Sequence, residues 1–141
     1  MSDLTESAAM LRMLAGKLGR RLRESAPPGE LTWSQVAVLG HLVRAGAMTV
    51  TQLASAEGVR TQSMGATVAG LLAAEWVRGE ADPHDGRKTR YLPTESGMAV
   101  ISSSRALRDD WLTRTLEARL SPAEQQQLTD VLPLLQRLTD D

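Results

Sequence analysis

The chain has 141 residues, 42% of them hydrophobic and 23% charged, and a net charge of -1, which is the profile of one soluble domain with a sizeable core. With no cysteine, disulfides, thiolate zinc sites and a thiol redox sensor are excluded, and a reducing cytosol is the expected setting. Apolar runs fall well short of the roughly 20 residues of a membrane span, and the N-terminus carries acids rather than a basic start and an apolar stretch, so no membrane association and a cytoplasmic location are expected.

In chain order, Leu4, Ala8, Leu11, Ala15, Leu18 and Leu22 recur at spacings of four and three, which predicts a first helix with one apolar stripe. Pro27, Pro28 and Gly29 are expected to stop it. A second helix opens at "LTWSQV", where Thr32 and Gln35 form a capping box with Leu31 and Val36 as its hydrophobic staple. "MTVTQL" repeats that pattern with Thr49, Gln52, Met48 and Leu53 and opens a short third helix that Gly58 ends. A fourth helix follows at once, its buried side predicted as Met64, Val68, Leu71 and Leu72. "WVRGEA" and "TRYLPT" then predict a β-hairpin around the loop "DPHDGRKTR". Thr94 caps a long helix through Met98, Ile101, Leu107, Trp111, Leu112 and Leu116 to about Leu120. "SPAE", Ser121 to Glu124, opens the last helix with a capping box and a proline in its first turn. Pro133 lies deeper, where it removes a hydrogen bond and is expected to kink the helix or end it early. The chain reads as mainly α with a small β-hairpin, and its middle is a winged helix-turn-helix.

Two features of that middle carry chemistry. The outer face predicted for the fourth helix holds Gln62, Ser63, Ala66, Ala69, Gly70 and Ala73, without a charged side chain. Small residues let a backbone approach closely, Ala touches a thymine methyl, and Gln pairs with adenine N6 and N7 in a major groove. Packing against another helix of the same protein is the alternative for that face. The hairpin loop ends in Gly86, Arg87, Lys88, Thr89 and Arg90, an acid-free basic tip suited to phosphates or a narrow minor groove. Asp85 stands where it can hold the Arg87 guanidinium, and Asp82, ahead of Pro83, reads as a turn residue.

The chain resembles the MarR family of bacterial winged helix-turn-helix regulators. "VRGEADPHDGRKTRYLPTESG", Val77 to Gly97, looks like that family's wing and the start of its long dimerisation helix, with Asp82, Asp85, Arg87, Thr94 and Gly97 on motif positions. "LTWSQVAVL" and "TVTQLASAEGVRTQSMGATVAGLL" match more loosely. The resemblance implies a single domain over 1–141, with dimerisation helices in 1–30 and about 95–141 and a winged helix-turn-helix lobe over about 31–94. It implies major-groove and adjacent phosphate contacts from Arg60, Thr61, Gln62, Ser63, Ala66 and Thr67. The wing would contribute Asp85, Arg87, Lys88 and Arg90, with Arg87 in the minor groove. It further implies a homodimeric repressor on a pseudo-palindromic double-stranded DNA operator, released by a small aromatic or phenolic effector. Lys17, Arg21, Trp33, His41, Arg44 and Trp111 are polar or aromatic side chains available to line an effector pocket. Three departures stand out: Arg60 where a small capping residue is usual, Glu75 in place of a frequent glycine that would end the helix left-handed, and Pro133.

No enzyme is expected. Two histidines, no cysteine and no glycine-rich phosphate loop leave nucleophilic and nucleotide chemistry without a seat. No cofactor or metal is expected either, since Asp82, His84 and Asp85 fit a polar turn better than a metal site. The rival reading is a winged-helix protein-interaction module whose small-residue face meets a partner helix; a basic wing tip counts against it.

Overall fold

The computed structural model describes residues 3–25 and 31–140. The first helix, α1 (Asp3–Glu24), has acids in its first turn and Arg21 and Arg23 in its last, which complements the helix dipole. Its predicted stop at Pro27 to Gly29 lies outside the described residues. Then come α2 (Trp33–Ala45), β1 (Met48–Thr49), α3 (Val50–Glu57), α4 (Thr61–Ala73), β2 (Val77–Ala81), β3 (Thr89–Pro93), α5 (Glu95–Arg119) and α6 (Pro122–Gln136). All three capping boxes form, at Thr32 with Gln35, Thr49 with Gln52 and Ser121 with Glu124. Helix α6 runs past Pro133 to Gln136 rather than ending before it.

The sheet has a strand that the sequence pattern did not reveal. Its order is β1-β3-β2, with Met48 opposite Tyr91 and Thr49 opposite Arg90. Strand β1 is only two residues long and runs straight into the cap of α3, so it has no alternation of its own to read. It pins the hairpin to the start of α3.

The core lies almost entirely between residues 31 and 77. Leu31, Val38, Leu39, Leu42, Leu53, Ala54, Met64, Val68, Leu71 and Val77 form it, and Ile101 of α5 completes it. Leu72, predicted buried, is exposed. At about 100° per residue it stands roughly 80° around α4 from Met64, on the edge of the stripe. Met98 and Leu107 are exposed as well, because α5 turns Gly97, Ile101, Ser104 and Arg108 inward instead. Nothing in α1 or α6 is buried.

Helix α4 ends in a left-handed residue after all. Glu75 has φ 62°. Its N–H donates to Leu72 O, and the Trp76 N–H reaches Leu71 O at 3.0 Å, the paired closure that glycine usually supplies. Gly58, φ 66°, ends α3 in the same way. Thr94 then ties the hairpin to α5. Its hydroxyl donates to Glu75 O at 2.7 Å and accepts from Gly97 N–H at 3.0 Å. A Cβ on Gly97 would stand 1.9 Å from Trp76 O, so only glycine allows α5 to start this close to the base of the hairpin.

Candidate nucleic-acid interface

Helix α4 begins at Thr61, with Arg60 in the capping position making no side-chain cap bond. The Arg60 guanidinium is therefore not committed to the helix. Gln62, Ser63, Ala66, Ala69, Gly70 and Ala73 are all exposed, so no other helix among the described residues buries the charge-free face. Thr61 is exposed too, whereas Thr67 is half-buried and its hydroxyl donates to Ser63 O at 3.2 Å. That leaves the hydrogen-bonding groups of this face concentrated in its first turn, followed by methyl groups and bare backbone.

The loop beside it is built from two carboxylates with different tasks. Asp82 Oδ1 accepts from the backbone N–H of His84 at 2.8 Å and of Asp85 at 3.3 Å. The His84 bond is the main reason its carboxyl stays below the usual carboxylate range. Asp82 is thus a turn residue, and among the described residues no group of three His, Cys, Asp or Glu could hold a metal ion. Asp85 accepts from the side chain of Arg87, Nε at 3.1 Å and Nη2 at 3.3 Å, and from its backbone N–H at 3.1 Å. Those bonds, the side-chain ones first, likewise lower its carboxyl. The Arg87 side chain is nevertheless 91% exposed, so it is aimed without being covered. Lys88 is exposed beside it.

Arg90 stands apart from this tip. It is half-buried on β3, and its Nε and Nη2 both engage Glu80 across the hairpin, where Arg78 also binds. Neither Glu80 nor Arg78 stood out in the sequence. Their role depends on the register that sets Glu80 opposite Arg90, and a hairpin with a loop of this length leaves the register open.

The six residues gathered as a possible pocket do not converge. Arg21 lies over Trp111, 5.9 Å from the ring centroid, and Trp33 is contacted from α1 and α5 by Arg23 at 5.6 Å and Arg108 at 5.4 Å. Lys17 is exposed. His41 pairs instead with Glu57 of α3, and Arg44 folds back over Gly40 of its own helix. Sequence reasoning missed the most unusual member of this region, Arg108. It is 9% exposed, its Nη1 donates to Ser104 O at 3.2 Å and to Ser104 Oγ, and its Nε is buried with no partner. The signal was present: Gly97, Ile101, Ser104 and Arg108 follow the spacing of a buried stripe with a cation at its end.

Residues 30–88 match a family model described as MarR family. The HTH-type transcriptional regulator Mb0904 of Mycobacterium bovis is 33% identical over 134 residues, 95% of this chain and 93% of that one. A solved structure from Pseudomonas aeruginosa PA01, described as a transcriptional regulator, superposes with a TM-score of 0.83 at 32% identity over 96% of this chain and 94% of that one. The structure of Bordetella bronchiseptica BpsR, described as a mechanism for regulation of its DNA binding by 6-hydroxynicotinic acid, shares the fold. Its TM-score is 0.67 at 22% identity, covering 96% of this chain and 99% of that one. No helix among the described residues is long and apolar enough to cross a membrane.

Proposed function

Because the chain belongs to the MarR family of transcriptional regulators, we propose that it is a sequence-specific double-stranded DNA-binding repressor that acts as a cytoplasmic homodimer. One observation carries this reading: an exposed helix face without charge, α4, stands beside a hairpin whose tip arginine is oriented by Asp85 yet fully projected. In this reading the first turn of α4, Arg60 to Ser63, meets base edges and adjacent phosphates, and Ala66 and Thr67 allow the backbone to approach the major groove. Arg87, with Lys88, reaches the flanking minor groove or its phosphates.

The second copy is proposed to cover what the chain leaves open. Leu4, Met10, Leu11, Met13, Leu14 and Leu18 of α1 are exposed, as are Val131, Leu132 and Leu134 of α6, more apolar surface than a monomer ordinarily shows. A two-fold dimer sets two copies of α4 about one helical turn, roughly 34 to 36 Å, apart on a pseudo-palindromic operator.

Fluorescence anisotropy on operator DNA recovered by genomic selection, across a salt series, tests the reading. Wild type is expected to bind with log K falling by about 0.9 per phosphate contact against log salt, and Arg87→Ala to lose about tenfold or more in affinity, within the range of one good groove contact. A folded dimer that selects no DNA sequence would turn attention to the protein-interaction reading. For the effector, the buried, unpartnered Arg108 Nε beside Trp33 supports an aromatic acid whose carboxylate satisfies that donor. Calorimetry with a panel of aromatic acids is expected to find a ligand that wild type binds and Arg108→Leu does not. If none binds and none weakens the DNA complex, release by such a ligand is wrong.

A further inference from the structure

We propose that Glu80 is a specificity-determining residue that restrains two arginines from phosphates and so keeps affinity for unrelated DNA low; the inference rests on the DNA-binding reading. Pairing of β2 with β3 sets Glu80 directly opposite Arg90, and Arg78 lies two residues back on the same strand, so the three side chains project from one side of the ribbon. The neighbouring Tyr91 packs on the core from the other side. Each carboxylate oxygen serves one guanidinium: Oε1 accepts from Arg90 Nε and is ion-paired with its Nη2, and Oε2 accepts from Arg78 Nη1 at 3.4 Å. Arg90 is only 35% exposed in this arrangement, against 91% for Arg87. Asp85 aims its arginine outward; Glu80 holds Arg90 against the stem and keeps a longer contact with Arg78, which stays 58% exposed.

A carboxylate on a ribbon that meets a polyanion opposes binding unless its task is restraint. As a half-buried cross-strand pair at the edge of the hairpin it contributes only modestly to stability. Freed, Arg78 and Arg90 would each be able to reach a phosphate, and a slope of about 0.9 in log K makes one such contact worth about fivefold at 0.15 M salt. Phosphate contacts carry no sequence information. On an operator, α4 fixes the register and leaves the stem arginines whatever phosphates that pose offers. On unrelated DNA the protein slides to the pose that suits its cations. Neutralising Glu80 therefore favours unrelated DNA more than the operator.

The test compares wild type, Glu80→Gln and Arg78→Gln/Glu80→Gln/Arg90→Gln on the selected operator and on a scrambled duplex, by anisotropy across a salt series, with circular dichroism to confirm folding. Glu80→Gln is expected to bind the scrambled duplex about five- to thirtyfold tighter, with a salt slope steeper by about one to two phosphate contacts, and to gain less on the operator. The triple variant is expected to lose that gain. If folded Glu80→Gln binds scrambled DNA no tighter, or gains equally on both duplexes, or if the triple variant keeps the gain, Glu80 has no such role. Failure of wild type to select any DNA would overturn the DNA-binding reading itself, and is distinguishable because it appears before any variant is made.

Discussion

Residues 31–94 and the helices at the two ends of the chain are built by the same local rules but reach opposite outcomes. Both regions carry capping boxes that close and apolar stripes at helical spacing. In the central stretch the stripes of α2, α3 and α4 meet one another, and Val38, Leu39, Leu53 and Leu71 are fully enclosed. In α1 and α6 the stripes are only partly covered among the described residues, by α5 and by Trp33 beside Arg23, and Leu4, Leu11, Leu18, Leu132 and Leu134 stay open. An amphipathic helix specifies that it needs a partner surface, not where that surface is. One region encloses its apolar stripes, with Ile101 of α5 completing the core, and the other leaves them largely open.

The largest expected effect comes from breaking the proposed contact between copies. Leu11→Asp with Leu18→Asp is expected to give a monomer by sedimentation and to weaken operator binding by about 10²- to 10⁴-fold, because two half-site contacts are no longer linked. The circular dichroism of the central region should survive. A variant that remains dimeric would remove α1 from the interface. Next in size, Leu39→Ala is expected to destabilise the protein by about 2–5 kcal/mol in denaturant unfolding, through the cavity it leaves in a closed core, without changing the oligomeric state. If it dissociated the dimer instead, the two regions would not be separable. The smallest effect sharpens the picture of the central region alone. Glu75→Gly relieves a left-handed residue that glycine adopts freely and is expected to raise stability by up to about 1 kcal/mol. A clear loss would mean that the Glu75 side chain contributes more than its backbone strain costs.

Much of the fold was legible because its signals are local. A Thr or Ser with Gln or Glu three residues on, a glycine after α3 and a proline at the start of α6 each act within one turn, and the structure keeps them all. The carboxylates of the loop were legible for the same reason, since Asp82 and Asp85 bond groups two or three residues away. Leu72 misled because the period alone does not fix how wide the buried stripe is. The His41 and Arg44 side chains were assigned to a shared pocket on chemistry alone; their partners, Glu57 on another helix and Gly40 beneath Arg44, depend on packing.

By itself, then, the sequence determined where α2, α3, α5 and α6 start and where α3 stops, which helix faces are apolar, and how the tip of the hairpin is wired. Those choices are settled by contacts between neighbours in the chain, whose geometry the backbone fixes. Only the tertiary structure decided that β1 joins the sheet, that Glu80 gathers Arg78 and Arg90, and that Arg108 is buried against Ser104 and Trp33. Each of these needs a register or a crossing of elements distant in sequence, and no local preference encodes which distant residue will stand opposite.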